Sequence, residues 1–174
     1  RLVGSEMCIR DRFHRHYGVE YNPDKELLIT VGGSEAIDLC FRTLLAPGDE
    51  VLVPQPSFVC YGPLASVAGG VPVYIETKAE NCFRLTPEEI EEKITPRTKI
   101  LVLPFPNNPT GAVMRRADLE AVAEVVKKHD LFVLSDEIYS ELTYGGTPHV
   151  CFASIDGMRE RTVVVNGFSK AFAM

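Results

Sequence analysis

The chain has 174 residues, of which 45% are hydrophobic and 24% are charged, and its formal net charge at pH 7 is -6. This composition predicts one globular domain with its own core, and because lysine and arginine are scattered along the chain it argues against nucleic acid as a partner. No apolar run reaches the length that spans a bilayer, so we expect a cytoplasmic protein without membrane contact.

The cysteines and histidines predict neither a disulfide framework nor a metal site. The five cysteines are widely spaced and form no C-x-x-C pair, which is typical of reduced thiols. His14 and His16 stand close together but belong to no ligand motif. We therefore expect no metal ion.

Both ends of the chain are unusual. Residues 1–12 show neither helical nor strand periodicity and do not begin with methionine, so we interpret them as a non-native segment. The chain ends at Met174, four positions after Lys170. The expectation is a domain over residues 13–174 that is truncated at both ends.

From residue 27 onward, short β-branched runs alternate with amphipathic stretches, which is typical of βαβ units. Strands are predicted over residues 27–31, 50–54, 71–75, 99–103, 131–135 and 162–166, the third of them being the weakest. Helices are predicted over residues 34–45, 58–68, 87–94 and 116–128. The expected fold class is α/β, a three-layer α/β/α arrangement with a mostly parallel sheet.

Two of these helices carry specific signals. Thr86 and Glu89 have the spacing of a capping box, and Pro87 occupies the first helical position. The helix over residues 116–128 has apolar side chains at helical spacing, which predicts a face packed against the sheet. That face consists of Leu119, Val122, Ala123 and Val126.

Several glycine, polar and aromatic residues follow the predicted strands. They are Gly33, Ser34, Phe58, Asn108, Asp136, Tyr139 and Lys170. Ligands bind open parallel sheets beyond the carboxyl ends of the strands. We therefore expect these side chains to converge on one crevice, with the Gly33-Ser34 turn at its end.

Residues 32–36, GGSEA, lie between a predicted strand and a predicted helix. The backbone N–H groups at such a helix start can hold a phosphate group. The alternative is that Gly33 only turns the chain and Ser34 caps the helix. The segment is neither a Walker loop nor a G-x-G-x-x-G fingerprint, so it gives no specific support for ATP or NAD.

The other motifs also have ordinary explanations when each is taken alone. Residues 107–111, NNPTG, have the composition of a turn. Asp136 could cap a helix, and a lysine such as Lys170 is usually a solvated surface residue. If Lys170 were buried, its amine would be more often neutral and could attack a carbonyl carbon.

In their order along the chain, these motifs resemble the class I and II aminotransferases, which have the pyridoxal-phosphate fold type I, and their aspartate, alanine and aromatic branch in particular. The resemblance covers about residues 13–174. It rests on GGSEA at 32–36, PGDEV at 47–51, PSF at 56–58, NPTG at 108–111, DEIY at 136–139 and SK at 169–170. It implies part of the large, cofactor-binding domain, with the small domain missing.

The resemblance also implies roles for the site residues around pyridoxal 5'-phosphate. Lys170 matches the lysine that holds the cofactor as a Schiff base and shuttles the proton at the substrate Cα. Asp136 matches the carboxylate that pairs with the pyridine nitrogen, so that the ring can accept electrons. Asn108 and Tyr139 match the groups that hydrogen-bond the phenolic oxygen.

The remaining matches concern the phosphate group and the ring face. Gly33, Ser34 and the backbone of Glu35 match the phosphate cradle, to which Ser169 could contribute. Phe58 matches the aromatic residue that stacks on the pyridine ring.

The function implied is amino transfer between an amino acid and a 2-oxo acid by a ping-pong mechanism, in an enzyme that forms a homodimer. One alternative is a fold relative that uses the same Lys170 chemistry as a lyase or synthase. Another is an aminotransferase-like effector domain of a transcription regulator. The family's arginine that clamps the substrate carboxylate lies outside these residues, so the amino donor stays open and the chain alone is expected to be inactive.

Overall fold

The structure, a computed structural model, describes residues 4–174. Its helices are α1 (Ser5–Tyr17), α2 (Gly33–Leu44), α3 (Tyr61–Val67), α4 (Pro87–Glu91), α5 (Arg116–Lys128) and α6 (Phe168–Ala171). Its strands are β1 (Glu50–Gln55), β2 (Val71–Glu76), β3 (Thr98–Leu103), β4 (Phe132–Asp136) and β5 (Thr162–Val165). Short 3-10 turns occur at Ala79–Asn81, Phe152–Ser154 and Arg159–Arg161.

The five strands form one parallel sheet in the order β2-β1-β3-β4-β5. After β1 the chain moves outward to β2 and then returns past β1 to form β3. The loops that leave β1 and β3 therefore run in opposite directions, which opens a crevice at the carboxyl ends of the strands.

The core lies on both faces of the sheet. The cluster on the face of α4 and α5 includes Leu52, Leu101, Leu103, Leu119 and Val122. The cluster on the face of α2 and α3 includes Ile37, Phe41, Val51, Val53, Val102 and Leu134. Because both faces are covered, the central strands are buried along nearly their whole length. The predicted three-layer α/β/α class is confirmed.

Most of the predicted elements are found within a few residues of their predicted bounds. The capping box is present, with the Glu89 N–H donating to Thr86 Oγ1 at 3.3 Å and the Thr86 N–H donating to Glu89 Oε2 at 3.0 Å. Helix α5 has the predicted bounds and buries its predicted apolar face. Helix α4 ends at Glu91, three residues early, and α3 begins at Tyr61, three residues late.

The predicted strand over residues 27–31 is wrong. These residues form neither a strand nor a helix, and Leu28 and Val31 are 73% and 92% exposed. Alternating apolar residues favour a strand only where a neighbouring strand supplies hydrogen bonds. Within residues 4–174, β5 pairs with β4 alone, and no strand pairs with this segment.

Although no helical periodicity was recognised in the sequence of residues 1–12, residues 5–12 belong to α1; residues 1–3 lie outside the described residues. Helix α1 has a narrow apolar face, because Ile9, Phe13 and Tyr17 recur at intervals of four and join Val19 and Cys151 in a small cluster. The surrounding charged residues hid this face in the sequence. The non-native origin of residues 1–12 stays a prediction.

Over residues 4–174, no helix is long and apolar enough to cross a membrane. In the same range, no group of three or more histidine, cysteine, aspartate or glutamate side chains is placed to hold a metal ion. The five cysteines are free thiols.

Glu50 at the start of β1 anchors the amino-terminal edge of the sheet, opposite the crevice. Its buried carboxylate accepts hydrogen bonds from Thr95 Oγ1 at 2.6 Å and from Arg97 Nη2 at 2.8 Å. The hydrogen bond from Thr95, together with the bonds and charge of Arg97, lowers the pKa of Glu50 although burial opposes this. Ionised Glu50 therefore stabilises the fold above the unfolded-state pKa of about 4.3, and this stability is lost as the pH falls through the lower folded-state pKa.

We expect Glu50→Gln to lower the free energy of unfolding by about 1–3 kcal/mol near neutral pH, because it weakens charge-assisted hydrogen bonds. Urea unfolding measured from pH 7 down to pH 3 checks this, and the difference from wild type should shrink at the acidic end. The matched control is Glu88→Gln, at an exposed position. A deficit of equal size at every pH would contradict the account.

Candidate active site

A cavity of about 220 Å³ lies at the carboxyl ends of the strands. Its walls contain eight of the nine site residues predicted from the sequence. They are Gly33, Ser34, Phe58, Asn108, Asp136, Tyr139, Ser169 and Lys170. They come from α2 and α6, from the loops after β1 and β3, and from the end of β4 with the turn that follows it. The topology thus gathers segments that are far apart in the sequence.

The amino terminus of α2 forms one end of the cavity. Gly32 precedes the helix with a φ of 83°, a conformation that favours glycine, and the helix has no side-chain capping hydrogen bond. The interpretation of Ser34 as the helix cap is therefore wrong. Among residues 4–174, no side chain caps the start of this 12-residue helix, so its first N–H groups, together with the Ser34 hydroxyl, are suited to an anion.

Glu35 is the predicted site residue that does not line the cavity. Its carboxylate accepts a hydrogen bond from the backbone N–H of Val31, on the segment that leads into α2. This hydrogen bond holds the Glu35 side chain against the segment that precedes α2. Only the backbone N–H of Glu35, the group considered from the sequence, could serve the site.

Asp136 is the last residue of β4 and is 7% exposed. Its Oδ2 accepts a hydrogen bond from the Tyr61 hydroxyl at 2.7 Å, and its Oδ1 accepts one from the Ile138 N–H at 3.2 Å. A turn and not a helix follows, so the interpretation of Asp136 as a helix cap is wrong. Each oxygen keeps a lone pair for a further donor.

Burial disfavours the charged form of Asp136. Burial raises the pKa of this carboxyl above its usual value, although the hydrogen bonds from Tyr61 and Ile138 act in the opposite direction. Because the folded-state pKa is raised, protonated Asp136 stabilises the fold below the unfolded-state pKa of about 3.9. This contribution is lost as the pH rises through the folded-state pKa. A cation bound beside Asp136 would lower this pKa and stabilise the charged carboxylate near neutral pH.

Asn108, Tyr139 and Phe58 form the sides of the cavity. The loop that carries Asn108 is shaped by its neighbour Asn107, whose Oδ1 accepts a hydrogen bond from Thr110 Oγ1 at 2.9 Å. This loop is a turn, as its composition predicts, and it also contributes to the cavity. Tyr139 is half-buried, and Phe58 is 39% exposed and lines the cavity.

Lys170 lies in α6, shortly after β5, and is one of the residues that line the cavity. Its side chain is exposed, so the burial considered from the sequence is not found. The loop is nevertheless fixed to the Asp136 turn. Asn166 Nδ2 donates to Ser140 Oγ at 3.2 Å, and a Cβ on Gly167 would lie 3.0 Å from Ile138 Cδ1.

Sequence reasoning did not single out two buried groups next to the site. Tyr61 is 2% exposed and lines the cavity. In the sequence it stands three residues after Phe58, which is the spacing of an ordinary core residue on a helix. Glu137 is 1% exposed, and its carboxylate binds Ser135 Oγ at 2.9 Å and His149 Nε2 at 2.7 Å. Its partner His149 is twelve residues away with no local signal, so only the fold reveals this pair.

A larger cavity, of about 500 Å³, lies between α1, α2 and the exposed edge of β5. Its lining is mainly apolar and includes Leu28, Leu39, Val163 and Phe172. None of the predicted site residues lines it. Size alone therefore does not identify the site, and the convergence of polar groups favours the smaller cavity.

Comparison with known proteins gives a consistent result. The family described as aminotransferase class I and II matches residues 4–174. The aromatic-amino-acid aminotransferase 2 of Thermococcus litoralis is 45% identical over 167 residues, which are 96% of this chain and 43% of that protein. The aspartate aminotransferase of Pyrococcus abyssi is 43% identical over 167 residues, again 96% of this chain and 43% of that protein.

Among solved structures, the aromatic aminotransferase from Pyrococcus horikoshii OT3 superimposes with a TM-score of 0.95 at 42% identity. The match covers 97% of this chain and 45% of that chain. The chain thus spans less than half the length of these relatives. The family match, the sequence identities and the shared fold agree, and the chain belongs to the class I and II aminotransferase family.

Proposed function

We propose that the protein carrying this chain transfers an amino group between an amino acid and a 2-oxo acid, with pyridoxal phosphate bound in the 220 Å³ cavity. Members of this family depend on that cofactor. The observation that carries the proposal is the convergence of an amine, a buried carboxylate, a phenol, an amide, an aromatic ring and a helix amino terminus on one cavity.

The chemistry of these groups fits the cofactor part by part. The start of α2 with Gly33 and Ser34 suits the phosphate, and Ser169 adds a hydroxyl at the same cavity. Asp136 suits a protonated ring nitrogen, because its carboxyl is buried and no cationic side chain among residues 4–174 forms an ion pair with it. Phe58 offers an apolar face for the ring.

When bound, pyridoxal phosphate supplies an aldehyde that bonds to amines and a ring that accepts electrons from the substrate Cα. Lys170 would hold the cofactor through its Nζ and, once released by the substrate amine, would carry the proton at Cα. Asp136 would keep the ring nitrogen protonated. Asn108 Nδ2 and the Tyr139 hydroxyl would donate to the phenolic oxygen and stabilise its negative charge.

Transamination is favoured over a lyase or synthase reaction because the relatives described above are named as aminotransferases. Their names give two donor classes, aromatic amino acids and aspartate, and the donor of this protein stays a question for experiment. A homodimer is the expected assembly of the intact enzyme, and sedimentation analysis tests it.

The protein should be loaded with pyridoxal phosphate and assayed with aspartate, alanine or an aromatic amino acid as donor and 2-oxoglutarate as acceptor. We expect glutamate to form in step with the donor's 2-oxo acid, and initial rates at several acceptor concentrations to give the parallel double-reciprocal lines of a ping-pong mechanism. Release of ammonia without formation of glutamate would favour elimination and contradict the proposal.

A further inference from the structure

We propose that Tyr61 is a positioning residue for the reaction: its hydroxyl holds the Asp136 carboxylate in one orientation and in its charged form, so that the ring nitrogen of the cofactor stays protonated. This inference rests on the proposed function. It concerns a residue outside the six motifs that carry the family resemblance.

The first support is the contact itself. The Tyr61 hydroxyl donates to Asp136 Oδ2 at 2.7 Å, and the two residues are 75 positions apart in the sequence. The length is that of a charge-assisted hydrogen bond between a hydroxyl and a carboxylate. Both side chains are largely removed from water, at 2% and 7% exposure. In such surroundings the bond is strong and its loss is not replaced by solvent.

The second support is the direction of the bond. Burial, followed by the negative charge of Asp136, raises the pKa of the Tyr61 phenol far above its usual value, so the phenol stays protonated and is the donor. For Asp136, burial raises the pKa, whereas the Tyr61 bond lowers it. The neighbouring carboxylate of Glu137 raises it further. Tyr61 therefore opposes the neutralisation of Asp136.

The third support is the position of the ring. Tyr61 is the first residue of α3 and packs in the core cluster with Ile37, Val53 and Ala65. Phe58 meets it edge-on at 6.0 Å between ring centroids. A phenylalanine would fill the same space, and a buried hydroxyl destabilises a core unless it is hydrogen-bonded. The hydroxyl is thus explained by its bond to Asp136 and not by packing.

The test is Tyr61→Phe in the intact protein. We expect kcat and kcat/KM to fall together by about 10- to 100-fold, because the stabilised charge matters most in the transition state. The pH midpoint of the bound cofactor's visible absorbance should rise by about one unit or more. The reason is that a ring nitrogen that is less often protonated withdraws less electron density from the nitrogen of Lys170. That nitrogen then keeps its own proton to a higher pH. A purely structural tyrosine would move neither readout.

A second measurement does not depend on the cofactor. In the cofactor-free protein, NMR of labelled aspartate carboxyl groups should show the pKa of Asp136 rising by about one unit in Tyr61→Phe. The matched control is Tyr21→Phe, which removes a phenolic hydroxyl from a half-buried ring outside the cavity. In an Asp136→Ala background, Tyr61→Phe should have little further effect on kcat.

The outcomes separate this inference from the proposed function. A protein that takes up no pyridoxal phosphate defeats the proposed function, while the NMR comparison still decides whether Tyr61 holds Asp136 in its charged form. If wild type is active and Tyr61→Phe leaves kcat, the absorbance midpoint and the Asp136 pKa unchanged, the inference is overturned. It is also overturned if Tyr61→Phe fails to fold while Asp136→Ala folds, because the hydroxyl is then structural.

Discussion

Replacement of Lys170 by alanine is expected to reduce amino-group transfer by at least about 10²- to 10⁴-fold, the usual contribution of a positioned acid–base group. The true loss should be larger, because the same side chain also provides the covalent bond to the cofactor. Steady-state rates at saturating donor and acceptor measure it. Among residues 4–174, no other lysine lines the cavity, so a neighbouring amine should not compensate.

The control for this prediction is Lys78→Ala, which removes an exposed lysine outside the cavity. It should keep wild-type rates. The Lys170→Ala protein should still fold, because Lys170 is exposed in the short helix α6. A folded Lys170→Ala protein with wild-type turnover would remove Lys170 from the mechanism.

Asp136→Ala is expected to lower kcat by several hundredfold. Breaking a buried ion pair typically costs about 3–5 kcal/mol, and about 1.4 kcal/mol corresponds to a factor of ten in rate. In contrast to Lys170→Ala, this variant keeps the amine and should still bond to the cofactor. The comparison therefore separates the electron-accepting role of the ring from its attachment.

The control for Asp136→Ala is Asp156→Ala, an exposed position beyond β4. The measurements are kcat and the fraction of protein that retains cofactor after gel filtration. A variant that keeps wild-type kcat would contradict the pairing of Asp136 with the ring nitrogen. Loss of cofactor together with loss of activity would move the role of Asp136 from catalysis to binding.

Local sequence patterns predicted the elements that depend on local interactions. Helix α5 and the capping box of α4 follow from side-chain spacing within one or two turns of helix. The parallel sheet follows from buried β-branched runs that alternate with helices, because both of its faces must be covered. These parts of the fold could be predicted without knowing any tertiary contact.

The wrong predictions concern segments whose structure depends on contacts with residues far away in the sequence. Residues 27–31 have a strand-like pattern, but among residues 4–174 no neighbouring strand pairs with them. Helix α1 is stabilised by packing against Cys151 and its neighbours, a contact that spans most of the chain. Periodicity alone reveals neither the absence of a partner strand nor the presence of a distant surface.

The same distinction applies to the site. Asp136, Asn108 and Lys170 lie in recognisable motifs, and the rule that ligands bind at the carboxyl ends of parallel strands predicts their common cavity. Tyr61 could not be predicted in this way, because its importance lies in a hydrogen bond to a residue 75 positions away. The exposure of Lys170 was likewise invisible in the apolar sequence that surrounds it.

The central claim is that Lys170 forms the covalent bond to pyridoxal phosphate, and reductive trapping tests it most directly. The Lys170 amine should condense with the cofactor aldehyde and release water, and borohydride should then reduce the carbon–nitrogen double bond to a stable secondary amine. Digestion and mass spectrometry should locate one phosphopyridoxyl group on the peptide that contains Lys170, and none on that peptide in Lys170→Ala. An unmodified Lys170, or equal labelling of exposed lysines such as Lys78, would contradict the account.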